Sequence, residues 1–114
     1  MKQYDLEDRT LDFARAIISL TKDLPRSTAN FEISKQLIRS AGSVGANYIE
    51  ANESLGKKDF LMRIRISKKE AKESRYWLKL IDCSSTAIEK RDTLIQESTE
   101  LMKIFGSIIE KSTK

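Results

Sequence analysis

Two residue types on which many enzymes rely are scarce, because the 114-residue chain has no histidine and one cysteine, Cys83. The lack of histidine excludes histidine-based acid–base catalysis and most zinc or transition-metal sites. A single cysteine cannot form a disulfide within the chain, which is typical of the reducing cytosol. We therefore expect no metal site, no cofactor, no enzymatic activity and a cytoplasmic location.

Proline, glycine and long apolar runs are also rare. The sequence has one proline and four glycines, and it lacks both an alternating strand pattern and an Asn-Gly turn, so helices are favoured. The longest apolar run, AIISL at 16–20, is far too short to span a bilayer. The polar and acidic start, MKQYDLEDRT, does not resemble a signal peptide. We predict no association with membranes.

Apolar residues recur at helical spacing in four segments. This spacing predicts helices over roughly 4–23, 30–55, 58–83 and 89–112. Pro25 is expected to end the first helix, Asn30 to cap the second and Gly56 to end it. The predicted core line of the second helix is Leu37, Ala41, Val44, Tyr48 and Leu55. One all-α domain, residues 1–114, is expected to form an antiparallel up-down-up-down four-helix bundle.

Small residues are concentrated in the second helix, in the segment LIRSAGSVGANYIEANES at 37–54. Gly42 and Gly45 each cost about 1 kcal/mol of helix stability relative to alanine. Close packing must offset this cost, and it can occur either within the bundle or against another subunit.

The net charge of +4 comes from the third helix. Residues 57–82 hold nine basic and four acidic side chains, a balance of +5. On a helical wheel Arg65, Lys68, Lys72, Arg75 and Lys79 form one stripe, with Lys58 and Lys69 at its border. Asp59, Glu70 and Glu73 fall on the opposite flank, together with Ile66 and Trp77. The basic stripe is either a phosphate-binding surface or a solvated helix face.

Two further features leave alternatives open. Ile66 and Trp77 lie off the core line, so they either form an additional contact surface or are covered by the bundle. On the second helix a polar line lies roughly opposite the core face, where it forms either an oligomer interface or an ordinary solvent face. The residues of this line are Gln36, Arg39, Ser43, Asn47, Glu50 and Ser54.

The segment QLIRSAGSVGANYIEA at 36–51 resembles the signature of the 23S rRNA intervening-sequence proteins, a bacterial family of four-helix bundles. The matching positions are Gln36, Arg39, Ser43, Val44, Asn47 and Glu50. DFLMRIRISKKEAKESRYWLKLI at 59–81 resembles the third helix of the family, with Phe60, Leu61 and Glu73 in place. Ala51 stands where many members have glycine, and SKKEA makes this helix more basic than is usual in the family.

The resemblance implies a bundle whose role is mostly unassigned in the family. Such proteins are similar to the accessory variability determinant of diversity-generating retroelements, a basic, barrel-shaped homopentamer that binds nucleic acid and a reverse transcriptase. The resemblance therefore implies a ring-shaped homo-oligomer, with nucleic acid, RNA or DNA, and a reverse transcriptase or another protein as partners.

Three functions are considered from the sequence. The first is a non-catalytic nucleic-acid-binding bundle that contacts phosphates through the basic stripe, as a homo-oligomer. The alternative is an oligomeric adaptor that binds protein and has no direct role with nucleic acid. Catalysis is the least favoured, because no catalytic constellation and no phosphate-binding glycine loop is present.

Overall fold

The computed structural model describes residues 3–113, with side chains from residue 6 onward, and within these residues it contains four helices and no strand. The helices are α1 (Gln3–Lys22), α2 (Thr28–Asn52), α3 (Lys57–Leu80) and α4 (Ile88–Ser112). The prediction of an all-α chain with four helices is confirmed.

Each helix runs antiparallel to its neighbours. The ends that meet are joined by hydrogen bonds from Asn52 to Glu7 for α2 and α1, from Asn30 to Asp82 for α2 and α3, and from Lys90 to Asp23 for α4 and α1. The α3 helix packs against α2 and α4, and α1 packs mainly against α2. This arrangement is an up-down-up-down four-helix bundle.

The core lies on the axis between the four helices. Its largest fully buried side chains are Phe13, Ile17, Leu20, Leu37, Val44, Ile64, Leu78, Leu101 and Phe105. The rings of Tyr48 and Phe105 pack at 6.0 Å between centroids with a tilt of 50°. Because every helix presents one apolar face to this axis, burial of that face supplies the main driving force for folding.

The start of α2 differs from the prediction. Ser27, not Asn30, is the N-cap, because its extended backbone lets its Oγ accept a hydrogen bond from the backbone N–H of Asn30 at 3.0 Å. The Asn30 amide instead donates to the carbonyls of Pro25 and Asp82, at 2.9 Å each, and accepts from the N–H of Asp82. Asn30 therefore joins the α1–α2 loop to the α3–α4 loop.

The end of α2 is also earlier than predicted. The helix stops at Asn52, and the N–H groups of Glu53 and Ser54 return to the carbonyls of Glu50 and Ala51. Leu55 was expected in the core, but it lies in the turn to α3 and is fully exposed. Gly56 does not cap α2; it is the N-cap of α3, with an extended backbone that any residue can adopt.

The α2 and α3 helices approach closely because small residues line both sides of their contact, which we call the α2–α3 seam. It consists of Ser40, Ala41, Val44, Ser67, Ala71 and Ser74, all of them buried. The Ser67 hydroxyl donates to the backbone carbonyl of Val44 at 2.9 Å, and the Ser40 and Ser74 hydroxyls are 2.8 Å apart. A side chain as short as serine reaches the backbone of another helix only when the two helices are very close.

The two glycines of α2 have different surroundings. A Cβ at Gly45 would lie 2.9 Å from Oγ1 and 3.2 Å from Cβ of Thr10 on α1, so the absence of a side chain permits the α1–α2 contact. A Cβ at Gly42 would meet no atom within 4 Å. Close packing inside the bundle therefore explains Gly45, whereas no contact within the described residues explains Gly42.

We expect Gly45→Ala to lower the free energy of unfolding by about 1–2 kcal/mol, because strain from overpacking at Thr10 exceeds the gain in helix propensity. Gly42→Ala is the matched control on the same helix and should raise it by up to about 1 kcal/mol. Urea unfolding of dilute protein measures both. Equal stabilisation by the two changes would contradict the close contact at Gly45.

Candidate nucleic-acid interface

The α3 helix carries three faces because its residue types repeat with the helical period. Its buried face contains Leu61, Ile64, Ser67, Ala71, Ser74 and Leu78. Burial of this face turns the remaining two outward, one toward the α4 side and one toward the α2 side. Lys79 in the last turn also opposes the negative end of the helix dipole.

The predicted basic stripe lies along the side of α3 that borders α4. Its exposed members are Lys58, Arg65, Lys68, Lys69, Lys72 and Lys79. Arg75 differs, because it is half-buried and donates a hydrogen bond to Oγ1 of Thr99 on α4 at 3.2 Å. Lys68 extends along α4, and its Nζ is the atom nearest to a Cβ built at Gly106, at 3.4 Å.

None of the six exposed cations has a hydrogen bond or ion pair with any side chain of residues 6–113. A solvated helix face often carries ion pairs at a spacing of three or four residues, as Lys35 and Glu32 do elsewhere in this chain. The basic stripe has no such pairs. Its positive charge therefore remains available to an external anion.

Ile66 lies beside this stripe, not apart from it. It is half-buried, and with Met62 it lies in an open groove that is also lined by Lys58, Arg65 and Lys69. Asp59, which was predicted on the opposite flank, also lines this groove. The groove therefore combines an apolar floor, three cations and one carboxylate.

The acids of α3 on the α2 side are held by Arg39. The Arg39 guanidinium donates to Oε2 of Glu70 at 2.9 Å and also to Oε2 of Glu73. Glu70 is buried, and its charge is compensated by Arg39 across the α2–α3 seam. The two carboxylates are thus occupied by α2 and are turned away from the basic stripe.

Glu73 also fixes Trp77. The indole Nε1 donates to Oε2 of Glu73 at 3.0 Å, and the half-buried ring packs against the hydrophobic core. The hydrogen bond from Trp77, together with the guanidinium of Arg39, lowers the pKa of the Glu73 carboxyl below its usual value. The sequence left open whether Trp77 forms an additional contact surface or is covered by the bundle. In the structure the bundle covers much of the ring, and the indole N–H belongs to a polar network with Glu73 and Arg39.

The polar line of α2 contributes to the contact between α2 and α3. Asn47 Oδ1 accepts a hydrogen bond from Arg63 of α3 at 3.0 Å, and its Nδ2 donates to the carbonyl of Ser43. Gln36 and Glu50 are exposed, and Ser43 is half-buried. Arg39 and Asn47 thus have partners within the chain, whereas Gln36 and Glu50 remain on the surface.

Sequence reasoning missed several contributors. Arg63 is seven residues before Glu70, two helical turns away on the same face, so its position on the α2 side was visible in the spacing. The pair between Arg9 and Glu97, with two contacts of 2.7 Å, joins α1 to α4 and had no signal in the sequence. Tyr76, an exposed aromatic residue next to Trp77, was also not singled out.

Two other features are absent from the described residues, whose side chains run from residue 6 to residue 113. No cluster of three or more acidic or cysteine side chains in this range forms a metal-binding arrangement. No helix within it is long and apolar enough to cross a membrane.

Comparison with known proteins gives a family and a solved structure. The family model described as 23S rRNA-intervening sequence protein matches residues 2–107. The fold is similar to the crystal structure of a protein of unknown function from the S23 ribosomal protein family of Bacteroides thetaiotaomicron. The TM-score is 0.79 and the identity is 36%, over 90% of this chain and 96% of that chain. No curated protein matches the sequence.

We expect Arg39→Ala to lower the free energy of unfolding by about 2 kcal/mol, because it leaves the buried Glu70 carboxylate without a partner. The double variant with Glu70→Gln should recover part of this loss. Lys103→Ala, which removes an exposed ion pair with Glu100, is the control and should change stability by less than about 0.5 kcal/mol. Urea unfolding measures all three, and equal effects of Arg39→Ala and Lys103→Ala would contradict the role of the network.

Proposed function

The chain belongs to the 23S rRNA-intervening sequence protein family, and on this premise we propose that it is a non-catalytic bundle that binds nucleic acid as a homo-oligomer. The binding surface is the basic stripe of α3, which contacts the phosphate backbone. We place this activity in the cytoplasm. The target is RNA or DNA, since phosphate contacts are common to both.

One observation carries the proposal. The basic stripe has six exposed cations without acidic partners among the side chains of residues 6–113, while Arg39 holds Glu70 and Glu73 on the other side of the helix. Separation of the two signs on one helix produces a positive field along its outer edge. A phosphate backbone is a regular row of negative charges, and it gains from such a line of cations by release of counterions.

An exposed apolar face on α1 and α2 supports the homo-oligomer. Its large side chains are Leu11, Ile18, Phe31, Ile38 and Ile49. On α1, Leu11 lies one turn and Ile18 three turns after Glu7, whose side chain is hydrogen-bonded to α2. On α2, Ile38 lies two turns before Gly45, which contacts α1. These side chains therefore border the junction of the two helices, and exposed Gly42 lies among those of α2. Exposed apolar side chains grouped on one side of a domain often mark a subunit contact.

A subunit contact on α1 and α2 leaves the basic stripe free on the far side of each chain. A ring of subunits then repeats the stripe, and several stripes on one nucleic acid raise the affinity by avidity. We take five as the number of subunits from the resemblance to the pentameric accessory determinant.

The alternative is a protein-binding adaptor, with a reverse transcriptase or another protein as partner. It is favoured by the groove that Met62 and Ile66 form between the cations of α3, and by Leu55, which is fully exposed close to it. An acidic and partly apolar segment of a partner would fit this surface.

We expect the triple change Arg65→Glu, Lys72→Glu and Lys79→Glu to abolish most nucleic-acid binding. These residues are seven positions apart and exposed, so the fold should be retained, with a small loss of stability from the reversed charge at the C-terminal end of α3. In fluorescence anisotropy with duplex DNA and structured RNA, log affinity against log salt should become flatter by about three, one for each lost phosphate contact.

The matched control is Arg15→Glu, Lys22→Glu and Lys111→Glu, which alters net charge equally at exposed sites outside α3. It should change affinity much less than the α3 variant. Equal losses of affinity in the two variants would show that net charge, and not the position of the basic stripe, determines binding. Absence of binding by the unchanged protein near physiological salt would reject the proposed function and leave the adaptor.

We expect Ile38→Asp with Ile49→Asp to convert the homo-oligomer to monomers, because two charges would be buried in the subunit contact. Sedimentation velocity measures the mass of each species. Met62→Asp with Leu80→Asp, two changes at exposed apolar residues of α3, is the control and should leave the assembly intact. Dissociation by the control alone would place the contact on α3.

A further inference from the structure

An aromatic side chain stands among the cations of the basic stripe. Tyr76 is 59% exposed, although a ring of this size is usually at least half-covered in a folded domain. Its neighbours on the helix surface are lysines. Lys69 lies two turns and Lys72 one turn before Tyr76, and Lys79 lies one turn after it. All three lysines are exposed.

The ring of Tyr76 is supported by a chain of contacts that begins on α2. Its centroid is 5.0 Å from that of Trp77, with the two planes at 73°, an edge-to-face arrangement. Trp77 is held by its hydrogen bond to Glu73, and Glu73 is held by Arg39. A ring that is already positioned loses little conformational entropy when a ligand stacks on it.

Phosphate contacts alone do not distinguish a duplex from a single strand, because both carry the same backbone. An aromatic face beside the phosphate path does distinguish them. An unpaired base has a free face that can stack on it, whereas bases in a duplex are already stacked on one another.

We propose that Tyr76 is a stacking platform for an unpaired base, so that the α3 surface binds single strands and unpaired loops in preference to duplex. The inference rests on the proposed function and adds to it the class of nucleic acid. Lysines on both sides of Tyr76 along the helix hold the phosphates, and the ring receives the base between them. The arrangement requires no base-specific hydrogen bond, so the preference is for unpaired structure and not for a sequence.

The test compares the full-length protein with Tyr76→Ala and Tyr76→Phe. The probes are a fluorescent mixed-sequence RNA 12-mer, the DNA 12-mer of the same sequence, and a duplex of the DNA strand, each across a salt series. Tyr76→Ala should weaken single-strand binding by about five- to a hundredfold and leave duplex binding within about twofold. The salt slope should be unchanged, because no charge is removed.

Tyr76→Phe keeps the aromatic face and should bind single strands within about twofold of the unchanged protein. The fluorescence of Trp77, the only tryptophan, should respond to single strands in the unchanged protein and in Tyr76→Phe. A weaker response is expected with the duplex. Comparison of the RNA and DNA probes shows whether the platform discriminates between the two sugars.

The outcomes separate the two proposals. If Tyr76→Ala binds single strands normally while the charge-reversed α3 variant does not, the platform is wrong and the proposed function stands. If the unchanged protein binds no probe, both fail. A change in sedimentation or thermal unfolding in Tyr76→Ala would assign Tyr76 a structural role and overturn the platform. Equal losses of affinity in Tyr76→Ala and Tyr76→Phe would assign the effect to the phenol hydroxyl and would overturn the platform as well.

Discussion

The close approach of α2 and α3 is the constraint on which the rest of the structure depends. Serine and alanine on both helices, with Val44 on α2, bring the backbones near enough for the Ser67 hydroxyl to reach the carbonyl of Val44. At this separation the guanidinium of Arg39 on α2 can bind two carboxylates of α3. Larger residues in the seam would move the helices apart and break these contacts together, because they share one interhelical distance.

The seam also determines which charges remain available on α3. Glu70 and Glu73 pair with Arg39 along the outer edge of the α2–α3 contact, and Arg63 is bonded to Asn47 on the same side. These two acids are therefore occupied by contacts to α2, while the exposed lysines of the basic stripe have no partner among the described side chains. The helix that holds the bundle together at one edge thus presents unpaired positive charge at the other. This division underlies the proposed binding of phosphates.

The same network reaches the outer surface through Glu73, Trp77 and Tyr76. Residues of the family resemblance, such as Arg39 and Glu73, contribute through the position they give to the aromatic pair as well as through stability. The apolar face of α1 and α2 lies on a different part of the surface. Self-association and nucleic-acid binding therefore do not compete for the same residues in the proposed assembly.

The sequence by itself determined the four helices, the small residues of α2 and α3 and the basic stripe, because periodicity and charge along one helix are local properties. It did not determine which neighbour each face meets. The spacing placed Leu55 with the core and Asn30 at a cap, yet Leu55 is exposed in a turn and Asn30 joins two loops. Likewise only the tertiary structure decided that Arg39 pairs with Glu70 and Glu73 and that Trp77 supports Tyr76. A helical wheel gives the direction of a side chain, but its partner depends on how the helices pack in space.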